Sequence, residues 1–108
     1  MEIKTVCEPG HLPERKHPFD AGADLRANLE APLTIESGQS AWCDLGVSVA
    51  IPEGYFGLQA PRSGLGCNHG ICLANGVGII DSGYTGPVKA KLLNLGTEPF
   101  TVNDGDRV

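Results

Sequence analysis

Positive charge is scarce in this chain: 8 Lys and Arg stand against 13 Asp and Glu, a formal net charge of −5 over 108 residues. That balance argues against a nucleic-acid backbone or an anionic membrane surface as partner, because both are gripped through an excess of cations. An anionic small molecule stays open as a ligand, provided that cations converge locally. Apolar stretches are short as well, none approaching the roughly 20 residues that span a bilayer. Met1-Glu2-Ile3-Lys4 does not begin a secretory signal, so a soluble, intracellular, cytoplasmic chain is expected. The cysteines Cys7, Cys43, Cys67 and Cys72 contain no C-x-x-C pair, which speaks against a disulfide framework or a zinc ribbon and for reduced, partly buried thiols. Cys67, His69 and Cys72 do offer zinc-ligand types, but with three members and an unfamiliar spacing.

What is abundant is chain punctuation, with 15 Gly and 8 Pro. The apolar runs between them suit short strands and tight turns better than helices. A chain of this length buries one modest core, so residues 1–108 read as a single all-β barrel or sandwich domain. Residues 2–7 read as a first strand, followed by an exposed Pro- and His-containing loop. Leu45, Val47, Val49 and Ile51 recur at every second position, the period of a strand with one buried face. Tyr55 to Ala60 form another strand candidate that Pro61 ends, and 61–70 reads as loop with one short helical turn. Val88, Ala90 and Leu92 alternate with Lys89 and Lys91, so one face can enter a core while the lysines solvate the other. Phe100 to Val102 is a further strand, closed by the Asn103-Asp104-Gly105 turn.

Four segments carry residue types suited to chemistry. In Ala21-Gly22-Ala23-Asp24-Leu25 a glycine permits a tight backbone before an acid, which either faces a site or sits in an ordinary exposed turn. Pro61-Arg62-Ser63-Gly64-Leu65-Gly66 combines a guanidinium, a hydroxyl and glycines that let backbone N–H groups converge, the chemistry of a phosphate cradle. It lacks the lysine and spacing of a Walker loop, and Pro61 stands where a hydrolase elbow around Ser63 would need glycine. Residues 75–86, Asn75 through Asp81 and Tyr84 to Gly86, read as a hairpin. Its edge either offers backbone groups to a flat heterocycle, with Asp81 beside it and Tyr84 presenting a ring, or is structural with Tyr84 in the core. Gly105-Asp106-Arg107 adds a cation or a structural ion pair.

In order and wording, A-G-A-D-L, P-R-S-G-L-G, N-G-V-G-I-I-D-S-G-Y-T-G and G-D-R-V resemble the first four motifs of the trimeric dUTP diphosphatases, from about Asp20 to Val108. The resemblance implies a jelly-roll-like β-barrel with at most one short helix, assembled as a homotrimer with active sites at subunit interfaces. It also implies hydrolysis of dUTP to dUMP and pyrophosphate with Mg²⁺. Asp24 would bind waters of that Mg²⁺; Arg62, Ser63 and Gly64 would hold phosphates; Asn75 and the backbone of Gly78, Ile79 and Ile80 would read uracil. Tyr84 would pack beneath the deoxyribose, Asp81 would orient and deprotonate the attacking water, and Asp106 and Arg107 would support the second motif.

Two departures from that pattern stand out. Thr85 occupies a position usually held by arginine, and the chain ends at Val108 inside the fourth motif. A final strand and a Gly-rich C-terminal arm are therefore expected to be lacking. Among related activities, cytosine deamination is disfavoured because Lys91 stands where the deaminase glutamate would align. A non-catalytic nucleotide-binding or regulatory trimer is the alternative from another class.

Overall fold

In the computed structural model, which describes residues 1–108, the short apolar runs become nine strands and one helix. β1 (Lys4–Cys7) pairs with β4 (Val47–Ala50), and β2 (Leu33–Ile35) with β9 (Phe100–Val102). β5 (Gly57–Gln59) pairs with β7 (Gly78–Ile80), while β8 (Lys89–Asn94) lies between β3 (Ser40–Asp44) and β6 (Ile71–Leu73). Every pairing is antiparallel and none joins strands adjacent in the chain. The helix α1 (Ser63–His69) is the only one, so the fold is all-β with a single short helix.

Periodicity explains which side chains face inward. Val88, Ala90 and Leu92 are buried, and Leu45 and Val47 likewise, whereas Val49 is half-buried within β4 and Ile51 half-buried just past its end. Ile35, Ile71 and Val102 complete much of one shared core, each such side chain contributing about 1.5–3 kcal/mol of transfer free energy. Asn94 ends β8 with no exposed surface. Its Nδ2 donates to the carbonyls of Ile35 (2.9 Å) and Glu98 (2.8 Å), and its Oδ1 accepts from the Gly96 N–H (2.8 Å). Because every polar atom of the amide is partnered, it ties three chain segments together without an orphaned group.

α1 extends the single helical turn expected in 61–70 to seven residues. Ser-Gly-Leu-Gly-Cys-Asn-His has poor intrinsic helicity, so its ends matter. Gly70 stops it at φ 71°, with its N–H donating to the Gly66 carbonyl. A side chain there would also collide with Gly96, a Cβ lying 2.7 Å from its backbone nitrogen.

The segment 75–86 departs from the hairpin expectation. Gly78–Ile80 does form a strand, but its partner is β5, more than a dozen residues upstream, and 81–86 contains no second arm. Asp81-Ser82-Gly83 turns the chain, the Tyr84 N–H donating to the Asp81 carbonyl (3.0 Å), and Pro87 lacks the N–H that a returning strand needs. β2, β3 and β6 carried no usable sequence signal. Two of them are three residues long, and β3 sets Trp42 outward at 64% exposure between the smaller Ala41 and Cys43. All four cysteines are free, and burial pushes the Cys43 thiol up to about 11, leaving it neutral and inert.

Candidate active site

The site begins where the segment around Asp24 is zipped to the last residues of the chain. The Ala27 N–H donates to the Asp106 carbonyl (2.7 Å), the Gly105 N–H to Ala27 (2.8 Å) and the Val108 N–H to Leu25 (3.0 Å). Arg26 and Arg107 face each other across this ladder, and the Arg26 guanidinium also donates to the Gly105 carbonyl at 3.0 Å. Asp106 holds the turn itself, its Oδ2 accepting from the Asn103 N–H at 2.8 Å.

Leaving β5 through Pro61, the chain brings Arg62 to the same place. Arg62 Nε lies 3.4 Å from Asp24 Oδ1, and Arg107 Nη1 lies 3.3 Å from Asp24 Oδ2. One carboxylate thus spaces two guanidinium groups and leaves the trio one unit positive. The three side chains keep 29–34% of their surface exposed, so the pairs are solvent-screened and exchangeable for another anion. Ser63 opens α1 beside them, with Gly64 next in the first turn, whose backbone N–H groups have no acceptor inside the helix.

These groups line a cleft of about 530 Å³ whose apolar floor includes Leu45, Leu73 and Leu92. That volume falls in the range of small-molecule sites. Lys16 and Asp20 also reach it, and a smaller depression beside it is lined by Glu14, Lys16, Asp24, Arg26 and Arg107. Four of the chain's 8 Lys and Arg therefore gather around this opening, with only three of its 13 acids. The local excess of cations that an anionic ligand requires is present despite the overall −5.

Lys16 and Arg26 were not legible as site residues. Lys16 lies in the loop read as exposed, and what fixes it is a backbone bridge between Glu14 and Asp24 (2.8 and 3.2 Å) that no side-chain pattern announces. Of the expected residues, the structure brings together Asp24, Arg62, Ser63 and Arg107, with Gly64 and Asp106 adjoining. Asn75, Asp81, Tyr84 and the strand Gly78–Ile80 do not line that cleft. Asn75 borders a separate depression of about 260 Å³ with Trp42, Gln59, Lys89 and Lys91. Asp81 follows β7, which is paired on one side only, so its other backbone edge is open. Tyr84 is 46% exposed, not in the core.

The Cys67, His69 and Cys72 triplet makes no metal centre, since no group of three or more His, Cys, Asp and Glu side chains is placed to hold an ion. His69 instead packs against Phe100 with ring centroids 5.1 Å apart, and the Cys72 thiol points at the Leu93 carbonyl.

The family model that matches this chain is that of the dUTPases, over residues 8–108. The chain belongs to the dUTPase family. It is 45% identical over 98 residues to the deoxyuridine 5'-triphosphate nucleotidohydrolase of Desulfitobacterium hafniense, covering 90% of this chain and 65% of that protein. The corresponding protein of Chlamydia pneumoniae is 44% identical over 109 residues, covering 98% of this chain and 75% of its own length. The chain thus spans about two thirds to three quarters of these relatives. A mutant dUTPase from phage phi11 of S. aureus, described with a coordinated structural Mg(II) ion, superposes with a TM-score of 0.86 at 24% identity, over 100% of this chain and 86% of that one. The Streptococcus mutans dUTPase superposes with a TM-score of 0.81 at 24% identity, over 100% and 90%. At that identity these likenesses establish the dUTPase fold for this chain.

Proposed function

We propose that this chain hydrolyses dUTP to dUMP and pyrophosphate in a homotrimer whose active sites each draw on more than one copy. The observation that carries the reading is the convergence of Asp24, Arg62 and Arg107 in a cation-rich cleft. An 80alpha phage dUTPase mutant whose structure includes dUpNHpp shares the fold with a TM-score of 0.86, which supports a deoxyuridine triphosphate as the ligand class.

Arg62, the Ser63 hydroxyl and the free N–H groups around Gly64 hold the phosphates by charge-assisted hydrogen bonds. Asn75 and the open edge of β7, from Gly78 to Ile80, take the uracil edge, and Tyr84 lies against the deoxyribose. Asp81 accepts a proton from a water that attacks the α-phosphorus; the bond to the bridging oxygen breaks and pyrophosphate leaves, with positioning and fixed charge supplying most of the acceleration. Asp81 of one copy faces Arg62 and Ser63 of a neighbour, in keeping with its place outside the cleft of its own chain.

The residues fit Mg²⁺ bound through water and not in an all-protein cage. Each Asp24 oxygen touches one guanidinium and keeps lone pairs for the waters of a hydrated ion, and no group of three or more His, Cys, Asp and Glu side chains is placed to cage an ion directly. Bound with the triphosphate, Mg²⁺ supplies neutralisation of phosphate charge.

The test is pyrophosphate release from dUTP by the parent and by Asp81→Asn, together with a mixing experiment. Asp81→Asn is expected to bind nucleotide without hydrolysing it. Mixed with Arg62→Ala, also inactive, it should regain turnover, because some sites then combine an intact Asp81 and an intact Arg62 from different copies. Binding without release by the parent would instead support a regulatory nucleotide-binding trimer. Near-parental turnover by Asp81→Asn would remove that carboxylate from the role.

A further inference from the structure

Tyr84 is held by more than its backbone. Its N–H donates to the Asp81 carbonyl at 3.0 Å, and its Oη donates to the Pro87 carbonyl at 2.7 Å, which folds the side chain back over the residues that follow it. Between those two anchors lies Gly86. A Cβ at Gly86 would stand 2.8 Å from Tyr84 Oη, 2.9 Å from Cζ and 3.2 Å from Cε1. Heavy atoms of this kind do not approach so closely, so the phenol occupies the very space that any side chain at position 86 would need. Gly86 is not among the glycines with positive φ. Its φ therefore does not oppose alanine, and the ring does.

We infer that Gly86 is a positioning residue for sugar discrimination: it seats the Tyr84 ring against the chain, and the Pro87 carbonyl latches it there. The inference rests on the reading above that Tyr84 forms the wall beneath the deoxyribose. A wall excludes a 2′-hydroxyl only if it cannot retreat, and a half-exposed tyrosine hinged at its Cα is free to swing unless something fixes its far end. The Oη tether and the close seat supply that fixation. The same turn carries Asp81, whose carbonyl accepts the Tyr84 N–H.

The experiment is a double-mutant cycle in which kcat/KM is measured for dUTP and UTP, and binding affinity for dUMP and UMP, in the parent, Gly86→Ala, Tyr84→Ala and Tyr84→Ala/Gly86→Ala. Gly86→Ala should lower kcat/KM for dUTP by about tenfold or more, a displacement on the order of 1 Å being enough for that, and should narrow the deoxyribose preference several-fold in both readouts. In the Tyr84→Ala background, where no ring is left to displace, adding Gly86→Ala should change neither by more than about twofold. Equal effects in both backgrounds, or an unchanged preference in Gly86→Ala, overturn the inference while leaving Tyr84 as the wall. An unchanged preference in Tyr84→Ala itself strikes the wall reading first. The monophosphate affinities keep the test valid for a chain that binds without turnover. Should Gly86→Ala fail to fold, recovery of the fold on adding Tyr84→Ala supports the contact, and continued failure overturns it.

Discussion

Replacing Asp24 by Asn removes one negative charge while keeping the size of the side chain, and separates a structural role from a functional one. Coulomb's law gives about 1.2 kcal/mol for a unit pair at the observed 3.3–3.4 Å in a water-like medium and about four times that at an effective dielectric of ~20. With roughly a third of each side chain exposed, the low end applies, and pairs of this kind contribute ~0–1 kcal/mol each. Since Asn keeps an acceptor oxygen, the expected loss of stability is about 1 kcal/mol, read as a melting temperature lower by ~4–8 °C. That difference should shrink in 1 M NaCl, where the screening length falls to about 3 Å.

The effect on chemistry should be larger than that on folding. A charge-assisted hydrogen bond to an ion-bound water contributes ~1.5–3 kcal/mol, which corresponds to a Mg²⁺ half-saturation concentration for dUTP hydrolysis raised about tenfold or more. Turnover at saturating Mg²⁺ should fall less. The assays are thermal unfolding at two salt concentrations and a Mg²⁺ titration of pyrophosphate release. An unchanged Mg²⁺ requirement, or a salt-insensitive destabilisation of ~4 kcal/mol, would refute the reasoning and make Asp24 a buried anchor.

Two further predictions concern the scaffold. Asn94→Ala leaves the Ile35 and Glu98 carbonyls and the Gly96 N–H without their side-chain partners, at ~1–3 kcal/mol each; a melting temperature lowered by at least ~12 °C is expected, and a shift of a degree or two would show that water replaces the amide. His11 is buried with Nε2 3.1 Å from the Ala27 carbonyl and Nδ1 3.0 Å from that of Pro9. The Ala27 hydrogen bond raises its pKa above the ordinary 6.5 against the opposing effect of burial, because only the imidazolium donates to both carbonyls. A raised folded-state pKa means that the stabilisation is complete below the ordinary 6.5 and is lost as pH rises through the raised folded-state value. Melting temperature should therefore decline across that window in the parent and lose this slope in His11→Gln, and a flat parental profile would exclude the linkage.

How much was legible in the sequence follows from how local each signal is. The alternation Val88-Ala90-Leu92 depends on neighbours within a few residues and is found where the pattern put it, and α1 falls inside the 61–70 segment read as loop with one helical turn. The partner of Gly78–Ile80 was not legible, because pairing with Gly57–Gln59 is a long-range choice. The turn glycines and Pro87 of 81–87 forbid the nearer alternative only once the register is known. The site divides the same way. Arg62 and Ser63 announce phosphate chemistry by residue type, whereas Lys16 and Arg26 become site residues only through backbone bridges, Glu14 to Asp24 and Arg26 to Arg107.

The separation of Asp81 from the arginines has a chemical rationale under the proposed reading. Asp24 is already committed to two guanidinium groups, one at each of its oxygens. Had Asp81 grown from the same ladder as Arg107, it would be drawn into the same trio. Carried instead on the turn after β7, it lies outside the cleft that holds the arginines of its own chain, and in the proposed homotrimer it would meet those of a neighbour only with substrate phosphates between them. A net charge of −5 with half of the cations gathered at one opening is compatible with that division, since the phosphates, not the protein's own acids, then become the partners that the cluster lacks.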